Sequence, residues 1–306
     1  MKKRVIITGI TGLVGKALAK ACLQAGYEVS GTARDPGRAK ALLPPEVHLL
    51  PWNEVVNGRC QDELEDAFAV INLVGENIGS SRWTRKRRQQ ILESRIRAVE
   101  QLGAVISRLK SKPNRFLQAS AVGFYGYELA DPVDETGAQG SGFLAEVCTK
   151  LEAAAGSMHH TRLVVMRFGV VLDTREGALA KILMPVRRFR IGTFPVPAAN
   201  ILSWIHIEDL TGAILHILSK EDPSRVYNMS APQYVAYRDL YSYVVKMQRI
   251  LITLPVPFFL LKIPFGASMV RETLQASQSV IPARLKAEGF TFAFPGLGDA
   301  LKQLLT

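Results

Sequence analysis

The segment Thr8-Gly9-Ile10-Thr11-Gly12-Leu13-Val14-Gly15 most limits what this chain can become. It follows the apolar run of residues 4–8, which predicts a buried strand. It opens residues 12–25, where Leu13, Ala17, Leu18, Ala21 and Cys22 share a helical stripe that Gly26 ends. Gly9 permits a tight turn, Gly12 lets the backbone approach a pyrophosphate, and Gly15 lets the helix pack close to the sheet. The free N–H groups of the helix start then face the phosphates. The strand–helix context favours this nucleotide reading over a glycine-rich turn without a ligand.

Further strands are expected at residues 27–32, 47–50, 69–74, 115–120 and 162–167. Helices are expected at residues 85–109 and from about 142 to 156. Such alternation predicts an α/β fold, a doubly wound, Rossmann-like parallel sheet. We place this domain at residues 1–170, and a smaller C-terminal substrate region, interleaved with late strands, at 171–306. The second half is richer in proline and aromatic residues, with helices expected at 207–218, 237–248 and 282–288. Residues 250–270 are apolar, but Pro255, Pro257, Lys262 and Pro264 argue against a membrane-spanning helix. They read as buried or interfacial loop and helix.

Hydrophobic residues make up 48% and charged residues 21%, a globular balance. Three cysteines, Cys22, Cys60 and Cys148, form no disulfide framework, and five histidines show no metal-ligand spacing. A reducing, cytoplasmic setting is expected. After Met1-Lys2-Lys3-Arg4 only three apolar residues precede Thr8, too few for a signal peptide. The net charge of +11 attracts anions. The basic cluster from Arg82 to Arg97 comes with no nucleic-acid-reading module, so it reads as a solvated helix face. His159 and His160 read as surface loop, His206 as a structural histidine, and Asp209 as a cap or orienter of the next helix.

The G-x-x-G-x-x-G spacing resembles the short-chain dehydrogenase/reductase superfamily, above all its extended members. At the end of the second strand an NAD site wants an acidic residue, whereas Thr32-Ala33-Arg34 offers a cation for a 2′-phosphate. Asp35 argues the other way, although it lies one step further out, before Pro36-Gly37. The segments Val70-Ile-Asn-Leu-Val-Gly-Glu-Asn77, Ala119-Ser-Ala-Val-Gly-Phe-Tyr-Gly126, Gly142-Phe-Leu-Ala-Glu-Val-Cys148, Arg167-Phe-Gly-Val-Val-Leu172 and Ser203-Trp-Ile-His-Ile-Glu-Asp209 resemble one atypical branch of that superfamily. The tail resembles its C-terminal extension, about residues 250–303. Members of this branch are described as sugar-nucleotide epimerases, some of them linked to cell or chloroplast division.

The resemblance implies NADP(H) as cofactor, held by Gly9, Thr11, Gly12, Leu13, Val14, Gly15 and Arg34. Leu73 and Val74 would lie along the ADP-ribose, Val74 more tightly than the family's small residue. Gln90 and Arg95 would face the 2′-phosphate, with Arg95 as a second clamp beside Arg34. Val171 would approach the nicotinamide. The family's Tyr-x-x-x-Lys pair is replaced by Cys148 and Glu152, and Lys150 points elsewhere on the helix. Ser120, Tyr125 and Cys148 are the remaining catalytic candidates. Each has a plain structural alternative: a strand-end hydrogen bonder, a packed aromatic and a small buried side chain. Residues 194–200 replace a stretch that is glycine-rich in the family and reshape the substrate pocket.

Two functions are consistent with these residues. One is an NADP(H)-dependent oxidoreductase or epimerase acting on a nucleotide sugar or another small carbonyl compound. The other is an NADP-binding regulatory or scaffold protein that has abandoned chemistry. Neither reading names a protein partner, and neither involves nucleic acid or a transmembrane segment.

Overall fold

The computed structural model describes residues 2–158 and 161–306; the expected loop at His159 and His160 lies outside them. The first half runs β1 (Arg4–Thr8), α1 (Leu13–Gln24), β2 (Glu28–Ala33), α2 (Pro36–Ala39), β3 (His48–Pro51), α3 (Trp52–Val56), α4 (Gln61–Leu64), β4 (Ala69–Asn72), α5 (Arg85–Arg108), β5 (Arg115–Ala121), α6 (Phe143–Gly156) and β6 (Arg162–Phe168). The second half runs β7 (Val170–Leu172), α7 (Gly177–Phe189), β8 (Ile191–Val196), β9 (Ile201–Leu202), β10 (Trp204–His206), α8 (Ile207–Ser219), β11 (Val226–Met229), β12 (Val235–Ala236), α9 (Tyr237–Met247), β13 (Ile252–Pro257), α10 (Phe258–Phe265), α11 (Ala267–Met269), α12 (Ala283–Ala287) and α13 (Leu297–Leu305).

Seven parallel strands form the central sheet in the order β11-β6-β5-β4-β1-β2-β3. Strand β1 sits in the middle, so its side chains alternate into two cores. Val5 and Ile7 pack with Leu18 and Cys22 of α1 and with Leu210, Ile214 and Ile217 of α8. Ile6 points the other way, to Val70, Phe116 and to Leu102 and Ile106 of α5. The order reverses at β1, which opens a crevice at the strands' carboxyl ends.

Chain order and spatial order interleave past residue 170. Strand β11 adds to the main sheet beyond β6, and α8 covers the same face as α1. A second core joins Leu179 and Leu183 of α7, Trp204 of β10, Leu240 and Val244 of α9, and Leu297 and Leu301 of α13. Residues 250–270 depart only in part from the expected loop and helix, since α10 and α11 supply the helix. Their first part is a strand, β13, paired in parallel with β8, and much of the segment is exposed rather than buried.

Candidate functional site

At the carboxyl edge of the sheet, strand register sets Thr8 beside Asn72 and Asn72 beside Gln118. The Thr8 hydroxyl donates to Asn72 Oδ1 at 2.7 Å, and Asn72 Nδ2 donates to Gln118 Oε1 at 2.8 Å. The Val74 amide also donates to Asn72 Oδ1, at 3.2 Å, which fixes the exit of β4 beside the glycine turn. Gly9 stands at φ +69°, and a Cβ there would lie 3.0 Å from the Leu73 carbonyl. A Cβ on Gly15 would lie 2.6 Å from Gly9 O and from Ile10 Cα, so only glycine lets α1 start this close to β1.

Gly12 precedes α1 and gives it no side-chain cap. The amides of Leu13, Val14 and Gly15 therefore begin the helix without intrahelical acceptors, and Thr11 is half-buried beside them. This donor set is entirely N–H, on a turn where Gly9, Gly12 and Gly15 carry no Cβ, and it fits a pyrophosphate.

Arg34 is exposed just past β2 and makes no hydrogen bond or ion pair among the described residues. Asp35 is occupied otherwise: its carboxylate accepts the Arg38 amide at 3.1 Å and caps α2. Arg34 and Arg95 approach the crevice from the ends of different strands. Strand β1 lies between β2 and β4, and Arg95 is folded beneath the exit of β4. Its Nη1 donates to Ile91 O at 2.9 Å and its Nη2 to Glu76 O at 3.1 Å. Burial pulls its pKa down, against the nearby Cys148 and Glu76. Gln90 is exposed, and its Oε1 accepts from Arg87 Nη1 at 3.5 Å. Val171 lies in β7 beside Ile205. The turn after β7 approaches α1, where Lys16 and Glu176 form an ion pair at 2.5 Å.

Ser120, Arg167 and Asn228 occupy one register across β5, β6 and β11. The Ser120 hydroxyl donates to Glu152 Oε1 at 2.7 Å. Arg167 grips the same carboxylate, Nε to Oε1 at 3.0 Å and Nη2 to Oε2 at 2.8 Å. Its Nη1 donates to the Tyr125 phenol at 2.8 Å, and that phenol donates to Asn228 Oδ1 at 2.8 Å. Burial opposes the charge on Arg167, but the bonds to Glu152 outweigh it and raise its pKa.

Burial raises the pKa of Tyr125, so the phenol stays protonated, its proton committed to Asn228. Cys148 lies one turn from Glu152 on α6, and its thiol donates to Ala121 O at 3.7 Å. Burial raises its pKa too. Both groups are thus held in their protonated forms. Lys150 is turned away, paired with Glu146 at 2.6 Å.

Sequence reasoning missed Arg167 and Asn228 as site residues. A signal existed for Arg167: a glutamate in place of the family's lysine requires a cation nearby, and Arg167 ends the adjacent strand. Nothing in the sequence marked Asn228. Glu272 was missed as well; it accepts the Leu144 amide at 2.8 Å and so caps the start of α6. His206 is fully buried, as expected of a structural histidine. It also takes the role expected of Asp209, since its Nδ1 accepts the Glu208 amide at 3.1 Å and caps α8. Asp209 instead accepts the amides of Ala293 and Phe294, at 2.7 and 2.9 Å. Among the described residues no cluster of His, Cys, Asp or Glu is placed to hold a metal ion.

With this geometry in hand, comparison with known proteins is specific. The model of the NAD dependent epimerase/dehydratase family matches residues 5–230, and a domain of unknown function, DUF1731, matches residues 256–304. An epimerase family protein of Mycobacterium leprae (strain TN) is 31% identical over 100% of this chain and 96% of its own length. The crystal structure of human epimerase family protein SDR39U1 (isoform2) with NADPH is similar at a TM-score of 0.86 and 30% identity, covering 99% of each chain. A UDP-glucuronic acid 4-epimerase from Bacillus cereus, in complex with UDP-glucuronic acid and NAD, reaches a TM-score of 0.79 at 17% identity, covering 99% of this chain and 98% of its own. At that identity it shares the fold alone.

Proposed function

The chain belongs to the NAD dependent epimerase/dehydratase family, and from that premise we propose that it binds NADP(H) and acts on a small hydroxyl or carbonyl compound of the nucleotide-sugar class. The observation that carries the catalytic part is the Ser120–Glu152 hydrogen bond, 2.7 Å long, on the same sheet edge as the glycine turn. The NADPH held by the human relative supports the choice of cofactor, and the free guanidinium of Arg34 supports NADP(H) over NAD(H).

The amides of Leu13, Val14 and Gly15 receive the pyrophosphate, with Gly9, Thr11 and Gly12 keeping the approach clear. Arg34 takes the 2′-phosphate, while Leu73, Val74 and Val171 line the path toward the reacting end. A bound nicotinamide would supply hydride exchange with a substrate carbon, returned to the opposite face in an epimerase. Gln90 and Arg95 belong to the β4 side of the crevice, where Arg95 holds the loop at Glu76 in shape.

Proton movement falls to the chain. The Ser120 oxygen takes the proton of the substrate hydroxyl as its own proton passes to Glu152 Oε1. The reverse transfer reprotonates the substrate oxygen, so the site returns to its starting state. Arg167 keeps Glu152 aimed at Ser120, and Tyr125 and Asn228 hold Arg167. Ser120 and Glu152 thus do the acid–base work of the family's tyrosine and lysine with the charge reversed: an anionic acceptor replaces a cation that acidifies a phenol.

The test is a mass-spectrometric screen of metabolite pools with purified protein and C4-deuterated NADPH. Deuterium should enter a product, and the transfer should vanish in Ser120→Ala. Tight NADPH binding with no labelled metabolite in any pool would overturn net reduction, and no interconversion of nucleotide sugars in the presence of NADP+ would overturn the epimerase reading.

A further inference from the structure

Helix α10 is apolar on every side, with Phe258, Phe259, Leu260, Leu261, Ile263 and Phe265 broken only by Lys262 and Pro264. A helix of that composition is ordinarily enclosed. Here only Phe258 is buried; Phe259 is 65% and Ile263 70% exposed. The same surface continues onto β13, where Leu251 just before it is 96% exposed and Ile252 and Leu254 project from one face of the strand. Strands β13 and β8 pair with Ile252 opposite Ile191, which puts Leu251 beside Arg190 and near exposed Phe189. An unburied apolar surface of this extent marks an interaction site.

Charge identifies the occupant. No aspartate or glutamate occurs in residues 177–207 or 240–271, while Arg187, Arg188, Arg190, Lys246, Arg249 and Lys262 are all exposed there. A second copy would bring the same cationic face against this one with no acid to answer it. The basic side chains border the apolar ones without forming a paired array. Long cationic side chains can reach headgroup phosphates while their apolar neighbours sink beneath them. At about 1.5 Å per residue, the eight residues of α10 span about 12 Å, against roughly 30 Å of bilayer hydrocarbon. Among the described residues no helix is long and apolar enough to cross a membrane.

We propose that the face built by the end of α7, β13 and α10 is a peripheral docking surface for anionic lipid membranes, entered by Leu251, Ile252, Leu254, Phe259 and Ile263 and held electrostatically by the surrounding arginines and lysines. Attachment would leave the crevice chemistry to its own residues, so this proposal stands or falls apart from the catalytic one.

Flotation of the full chain with vesicles of phosphatidylcholine, with and without phosphatidylglycerol, tests it. The protein should float with the anionic vesicles only, and added salt should release it. The triple change of Arg187, Arg188 and Arg190 to Gln should weaken partitioning roughly a hundredfold. The double variant Leu251→Asp, Ile263→Asp should abolish it, with melting temperature and NADPH affinity unchanged. Three results would each overturn the proposal: no flotation with either vesicle, flotation indifferent to salt and to these substitutions, or a concentration-dependent dimer that Leu251→Asp dissolves.

Discussion

A serine hydroxyl exchanges protons poorly until a neighbour takes its hydrogen, and at Ser120 that neighbour is Glu152. Ser120→Ala should therefore cut turnover by roughly 10²–10⁴-fold and leave NADPH affinity unchanged, read by steady-state rates beside a binding titration. Glu152→Gln tests the other half of the pair and the arginine behind it. The Arg167 and Glu152 side chains are only 6% and 13% exposed, so a lone Arg167 would be a buried charge without its partner. The variant should lose about 3–5 kcal/mol, and replacing Arg167 by Met in the same chain should restore much of that. Thermal unfolding of the single and double variants measures both effects, and equal melting temperatures would show that the pair is not coupled. At the other end of the crevice, Arg34→Ala should weaken NADPH by about 1.5–3 kcal/mol and leave NADH unaffected. Calorimetric titration of the two cofactors reads the difference directly.

At the scale of elements, the β1–α1 turn was legible because its demand is local. Gly9 and Gly15 are required by contacts within the turn and with the adjoining exit of β4, and the sequence states them in order. Gly15→Ala should push the start of α1 from the sheet, costing about 1–3 kcal/mol and weakening NADPH binding, which a melting curve with and without cofactor would register. Strands β1, β4 and β6 were legible for a similar reason: each is built on a short apolar run. Helix α6 shows where legibility stopped. Its departures at Cys148 and Glu152 could be read, but the partners arrive from far along the chain, Arg167 from β6 and Glu272 from the tail. Residues 250–257 failed for a different reason. Their prolines argued against a membrane-spanning helix and for loop and helix, yet Pro255 and Pro257 lie in a strand paired with β8, where an edge position tolerates proline.

For the whole molecule, the C-terminal segment is fastened through buried polar groups at the start of α8, the helix that packs beside α1. Asp209 receives the amides of Ala293 and Phe294, while His206 meets Gln303 Oε1 at 2.9 Å and lies against Phe294. Burial pulls the His206 pKa below 6.5, against the opposing influence of the Gln303 hydrogen bond and of Glu208, Asp209 and Asp173. The ring is thus held neutral, with Nε2–H donating to Gln303 and Nδ1 accepting from α8. Well above pH 6.5 neither the folded nor the unfolded chain protonates this histidine appreciably, and its contribution to stability is complete. As the pH falls below 6.5, the unfolded chain takes up the proton first, and stability declines until the lower folded value is passed. Asp209 acts with the opposite sign. Burial raises its pKa above 3.8, so its contribution is complete below that value and is lost as the pH rises through the folded one. The two are separated by substitution: His206→Gln removes only the part that is lost on acidification. The melting temperature of the unaltered protein should fall between about pH 7 and about pH 5.5 more steeply than that of the variant. Parallel curves would mean that the neutral imidazole is not what makes the docked tail sensitive to acid.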